Sequence, residues 1–139
     1  MTRKEAAEES SVHFEPPDMC VWTFVGDVDV EILRALIAEQ VRHLKGLPIS
    51  FALVDVSRLG SFSGAAREEA GRKQEGVNIR ATAYVGASFP IRVIAILVAT
   101  ASRVLHKMPE SPVRFFNSRA EALAWLSERR AIERGATNK

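Results

Sequence analysis

The sequence predicts an α/β fold: a five-stranded mixed, mainly parallel sheet with an N-terminal hairpin and four helices. Three observations carry it. Ile49 to Val56 is apolar on both faces, as a central strand covered by helices on either side must be. Downstream, short β-type runs alternate with segments of helical spacing, and right-handed crossovers turn that alternation into parallel strands. Upstream, two β-type runs are joined by Pro16-Pro17-Asp18, which suits an antiparallel hairpin at a sheet edge.

Ser10 to Glu15 and Met19 to Val25 form that hairpin, and Gly26-Asp27 is expected to break its second strand. From Val28, the residues Leu33, Leu36, Ile37, Val41 and Leu44 recur at helical spacing, with Asp27 or Asp29 as the N-cap and Gly46 as the stop. After the central strand, a serine-rich turn from Ser57 leads to Ser63. This serine can cap a helix over about Gly64 to Glu75, with Glu68/Arg72 and Glu69/Lys73 at i,i+4. Ala81 to Gly86 is the next strand. Pro90 in a helix-starting position introduces Ile91 to Met108, which Pro109 and Pro112 end. Val113 to Phe116 closes the sheet, and Ser118-Arg119-Ala120-Glu121 is a capping box for a helix with Ala122, Leu123 and Leu126 on one face. Residues 1–9 and 131–139 read as disordered tails around a single domain over residues 10–130.

A chain of 139 residues fits one domain and buries roughly two thirds of its unfolded surface, so no disulfide or metal is needed to hold it. Cys20 stands alone in an apolar run, as a small core hydrophobe does, and Trp22 and Trp125 lie in apolar patterns that make them core residues. Nothing apolar follows the basic residues of the N-terminus, and Val93 to Ala101 falls far short of the ~20 residues that span a bilayer, so a soluble cytoplasmic protein is expected. The net charge is only +2, which does not suggest nucleic-acid binding. Arg129, Arg130 and Arg134 fall where positive charge complements a helix dipole. His13, His43 and His106 lack ligand spacing, so neither a metal nor another cofactor is expected.

The order of elements, with D-V-S at Asp55 to Ser57 and F-F-N-S-R-A-E-A-L-A-W-L at Phe115 to Leu126, resembles the STAS superfamily. These domains are shared by anti-sigma-factor antagonists and the cytoplasmic ends of sulfate transporters. The chain is most similar to the SpoIIAA-like branch of small bacterial proteins, itself akin to CRAL-TRIO lipid-carrier domains. The resemblance implies a non-enzymatic regulatory or protein-interaction module. In the antagonists, a strand carrying an aspartate leads into a D-S-S-G turn whose serine a partner kinase phosphorylates. Here Asp55 and Ser57 match the D-x-S at the strand end, while Ser63, Gly64 and Ala65 stand at the D-S-S positions, so the phosphoacceptor is absent from its expected place. Ser61 or Ser63 is left as a displaced acceptor, against the simpler readings of a turn hydroxyl and a helix cap.

Two surfaces then compete for function. One is the turn and helix carrying Ser57, Ser61, Ser63 and Arg67, which would bind a protein partner. The other is the helix Ile91 to Met108, where Arg92, Thr100, Arg103 and Lys107 form a narrow polar strip. Its side around Val93, Leu97, Val104 and Met108 needs a cover: the last helix, a second subunit in a homodimer, or a hydrophobic ligand with Tyr84 and Phe89 near the pocket. The CRAL-TRIO likeness implies an acyl or other greasy molecule between this helix and the sheet. Asp55 could act as a general base or cap a loop. No catalytic residue is assigned, because a hydrolase built from Ser88 or Ser63 with Asp55 has no histidine in either loop.

Overall fold

A computed structural model describes residues 9–105, 107 and 111–137, with side chains described as far as Gly135. The elements are β1 (Ser11–Glu15), β2 (Met19–Val28), α1 (Val30–Leu44), β3 (Ser50–Phe62), α2 (Gly64–Ala70), β4 (Ile79–Val85), α3 (Phe89–Leu105), β5 (Val113–Phe116) and α4 (Arg119–Thr137). The strands lie in sequence order, β1 antiparallel to β2 and the rest parallel, so the predicted five-stranded mixed sheet with four helices is what forms.

Strand order and crossover hand together place the helices. When every parallel crossover steps the same way along the sheet, a right-handed connection puts each helix on the same face. That face holds one core, in which Leu33, Leu36 and Leu44 of α1 and Ala66 of α2 pack on Trp22, Phe24, Ala52 and Val54, with Ile91 of α3 at its border. The opposite face is covered by α4, whose Ala122, Trp125 and Leu126 pack on Val21, Phe51, Leu53, Ala81 and Ala83. Alternate residues of β3 thus feed two cores, as its two-sided apolar run requires. Both tryptophans are buried, and burial together with the Glu39 charge pushes the Cys20 thiol up to about 11, which keeps it a neutral core side chain.

Helix ends follow their sequence signals. Asp29 caps α1, its Oδ1 accepting from Ile32 N at 2.9 Å, and Ser118 Oγ accepts from Glu121 N at 3.2 Å at the start of α4. Four elements differ from expectation. Gly26-Asp27 does not break β2. The strand continues to Val28 with two register shifts, Gly26 at φ +70 absorbs the irregularity, and β3 extends alongside as far as Phe62. The strands are so close there that a side chain at Gly60 would sit 2.7 Å from Asp27 Oδ1. The serine-rich segment from Ser57 is accordingly strand rather than turn. Helix α2 ends at Ala70, where Gly71 N donates back to Glu68 O at 3.2 Å. The expected Glu68/Arg72 and Glu69/Lys73 pairs therefore do not form, and Glu69 instead meets Arg34 of α1 at 3.0 Å.

The fourth difference is the C-terminal tail expected over residues 131–139, because α4 continues through Gly135 to Thr137. Ion pairs hold it there. Asp18, 4% exposed at the hairpin turn, accepts from Arg130 Nη2 at 2.6 Å and Nε at 3.0 Å, and lies 3.4 Å from Arg134 Nη2. Glu133 pairs with Arg80 of β4 and with Arg129, each at 3.2 Å. The basic cluster thus binds carboxylates, Asp18 being contributed by the hairpin turn, rather than serving only the helix dipole. Asp18→Ala leaves Arg130 without its buried partner and is expected to lower the unfolding free energy by about 3 kcal/mol. Arg134→Ala, at a half-exposed side chain, should cost under about 1 kcal/mol in the same urea titration.

Candidate functional site

Helix α3 is set apart from the sheet it crosses. Ala95 is its one buried residue among those described, at 7% exposure. Its inner side, Ile91, Ile94, Ala95 and Val98, faces Trp22, Phe24, Val54 and Tyr84 across a cavity of about 200 Å³. A second compartment of about 500 Å³ adjoins it, sharing Tyr84, Thr82, Ala95 and Val98 and extending to Arg72, Ser102, Arg103 and Ser111. Small side chains make the room, Ala52 and Ala95 lining the smaller compartment and Ala70, Ala95 and Ala99 the larger. Ser102 Oγ donates to Gly71 O at 2.9 Å and ties the helix to the end of α2.

The walls are apolar apart from a few placed polar groups. Trp22 Nε1 donates to Gln40 Oε1 at 2.7 Å, and Gln40 Nε2 passes on a hydrogen bond to Gln74 Oε1 at 2.9 Å. This chain satisfies the indole and the buried amide and fixes both in the cavity wall. Tyr84 stacks on Phe115 with ring centroids 5.4 Å apart, and burial pushes its phenol up to about 12, so it remains a protonated donor at neutral pH. Ser111 Oγ is buried without a partner among the described residues, in the wall of the larger compartment.

Of the residues expected near a ligand, Tyr84 lines the cavity. Phe89, Val93, Leu97 and Val104 lie on the outward side of α3 and are exposed, and Met108 lies outside the described residues. Sequence reasoning missed Trp22, Phe24, Ile91, Ile94 and Val98. A usable signal was present in Ala95, Ala99 and Ser102, whose small side chains recur at helical spacing and mark the side facing the sheet across open space.

The second expected site is not a convergent cluster. Ser57, Ser61, Ser63 and Arg67 are all exposed, and each serine oxygen is locally engaged. Ser57 donates to Asp55 Oδ1 from its hydroxyl at 2.6 Å and from its N–H at 2.9 Å. Ser61 Oγ donates to Asp27 at 2.8 Å, and Ser63 Oγ caps α2 by accepting from Ala66 N at 3.1 Å. Partial burial raises the Asp55 carboxyl, but the Ser57 hydrogen bonds and Arg119, 3.6 Å away, outweigh it and hold the group below the usual carboxylate range. Such a group is a poor general base at neutral pH. Of the histidines, His13 meets Glu15 at 2.9 Å, His43 stacks on Phe14, and His106 lies outside the described residues. No group of three or more His, Cys, Asp or Glu among the described residues could hold a metal ion.

No protein-family model matches the chain, and neither does any curated protein. Among solved structures, the chain is similar to an uncharacterised protein of the DUF3478 family from Shewanella loihica PV-4, described as having a SpoIIAA-like fold. The TM-score is 0.58 at 22% identity, covering 85% of this chain and 92% of the other. The fold is SpoIIAA-like. The STAS resemblance read from Asp55-Val56-Ser57 and Phe115 to Leu126 therefore holds at the level of fold. Within this SpoIIAA-like sheet, Asp55 joins the end of β3 to Arg119 at the start of α4, a structural link. The Asp55 carboxyl is lowered on folding, so its stabilisation is present above the ordinary carboxylate pKa and lost as pH falls through the folded value. Asp55→Asn should be less stable than wild type by about 1 kcal/mol at neutral pH. In denaturant titrations across pH, the difference between the two proteins should begin to shrink near the ordinary carboxylate pKa of about 4 and vanish only once the pH has fallen below the lowered folded value.

Proposed function

We propose that this SpoIIAA-like domain is non-enzymatic and binds a small hydrophobic ligand between α3 and the sheet, as a carrier or sensor. The two-compartment cavity carries the reading. About 500 Å³ beside about 200 Å³, in a cleft half open to solvent, reaches the size of small-molecule sites. Its chemistry suits an acyl or aromatic molecule: Trp22, Phe24, Ile91 and Ile94 offer apolar contact in the inner compartment, while Thr82, Tyr84 and Gln74 give a few orienting hydrogen-bonding groups.

Native mass spectrometry of gently purified protein should show a retained mass of a few hundred daltons. Added medium-chain or long-chain amphiphiles should raise the midpoint of thermal unfolding, since saturation at a hundred times Kd adds about 2.7 kcal/mol. Ala95→Leu places a larger side chain in the cavity and should abolish that shift while leaving the unliganded protein folded. Clean spectra together with no thermal response to any amphiphile would overturn the proposal.

A second reading, a regulatory module binding a protein partner, draws on the exposure of Ser57, Ser61, Ser63 and Arg67 along one stretch from β3 into α2. It ranks second because the three hydroxyls are already engaged. Ser61→Ala combined with Arg67→Ala should then remove a captured partner in affinity purification without altering the melting curve. Unchanged capture would sink this reading.

A further inference from the structure

Building on the ligand reading above, we infer that the molecule held under α3 carries an anionic head group, a carboxylate or a phosphate monoester, seated in the larger compartment with its chain in the smaller. The direction of the hydrogen bonds in the wall decides it. An indole N–H can only donate, so Gln40 must turn its Oε1 to Trp22, 2.7 Å away. Its Nε2 is then left to donate, and Gln74 must accept with Oε1 at 2.9 Å. The relay thus fixes the Gln74 amide with its own Nε2 outgoing, and no acceptor among the described residues meets that nitrogen. Gln74 lines both compartments, so this donor stands where the two meet.

The rest of the larger compartment has the same bias. Arg72, in the same loop as Gln74, lines it and is exposed, at the point where it opens to solvent. Arg72 forms no ion pair among the described residues, because Glu69 is taken by Arg34 at 3.0 Å and Glu75 lies 3.8 Å from Lys73. Arg103 of the same lining already has a partner and is not required. Tyr84 adds a protonated phenol shared by both compartments. Among the described residues that line the larger compartment there is no Asp or Glu, and its one side-chain carbonyl, Gln74 Oε1, is spent on Gln40. The loop is held in place, with Ser102 Oγ on Gly71 O at 2.9 Å and Val77 N on Gln74 O at 3.2 Å. A head that only accepts, through more than one oxygen, answers the Gln74 amide and the Arg72 fork together, whereas an ammonium would meet only donors and a cation. The smaller compartment beyond, walled by Trp22, Phe24, Ile91 and Ile94 and lined by no charged side chain, takes the chain.

Calorimetric titration of the whole protein with dodecanoate, dodecyl phosphate, dodecanol and dodecylamine, each below its micelle range, separates head from chain. The better of the two anions should bind roughly tenfold or more tightly than dodecanol, and its identity names the head; dodecylamine should bind weakest. Arg72→Ala, at an exposed side chain, should bring the anion down to the level of dodecanol while leaving dodecanol binding and the melting curve unchanged. Gln74→Glu keeps an oxygen for Gln40 but replaces the outgoing N–H with an anionic oxygen, and should discriminate against the anions in the same way. Dodecanol or dodecylamine binding as tightly as both anions, or wild-type affinity for the anions in Arg72→Ala, would overturn the head-group assignment and leave the ligand reading standing. Binding of none of these amphiphiles would overturn both.

Discussion

The handedness of the crossovers is the constraint from which the remaining architecture follows. With strands laid down in sequence order, it commits α1, α2 and α3 to one face and leaves the other to α4. Each side answers differently. The single helix on its own face is fastened at both ends, by Asp55 to Arg119 where it begins and by Asp18 to Arg130 and Arg134 where it finishes. On the crowded face, α3 comes last and crosses toward the narrowest part of the sheet. It is about 25 Å long at 17 residues, against about 13 Å for the four residues of β5. A helix that outruns its strand has little to rest on, and small residues at Ala95 and Ala99 do not close the gap.

The elements governed by local physics were readable in the sequence. Asp29 and Ser118 announce helix starts because capping is decided within four residues, and Ile49 to Val56 announces a two-sided strand because its apolar run is strand-length and bounded by turn residues. What escaped depends on distant partners. Ser57 to Phe62 looks like a turn because the extension of β3 is polar and its pairing depends on a bulged continuation of β2, where Gly26 and Asp27 carry the usual marks of a break. The last turns of α4 look like a tail because the carboxylate that holds them, Asp18, lies more than a hundred positions earlier. Helix α3 is apolar around most of its circumference, so hydrophobicity contrasts its two sides weakly, and only the small-residue spacing of Ala95, Ala99 and Ser102 distinguishes the cavity side from the solvent side.

That ambiguity accounts for the split outcome at the site. The region between helix and sheet was anticipated, and Tyr84 lies in it, but the aliphatic residues named for it are on the far side. The opposite holds for Asp55, Ser57, Ser61 and Ser63, which the sequence places together as potential chemistry and the fold spends on its own backbone and capping. A carboxylate that already accepts two hydrogen bonds and faces an arginine has its free energy invested in the ionised form. It positions a strand end against a helix start and has little left for proton transfer.

The two tryptophans sit on opposite faces of the sheet, Trp22 in the cavity wall with its indole N–H on Gln40 and Trp125 on the sheet-facing side of α4 beside Phe116. The chain has no others, so each face carries one tryptophan. Light emitted by Trp22 reports the polarity of the space under α3, while Trp125 answers to the seating of the last helix, and single Trp→Phe replacements separate the two signals.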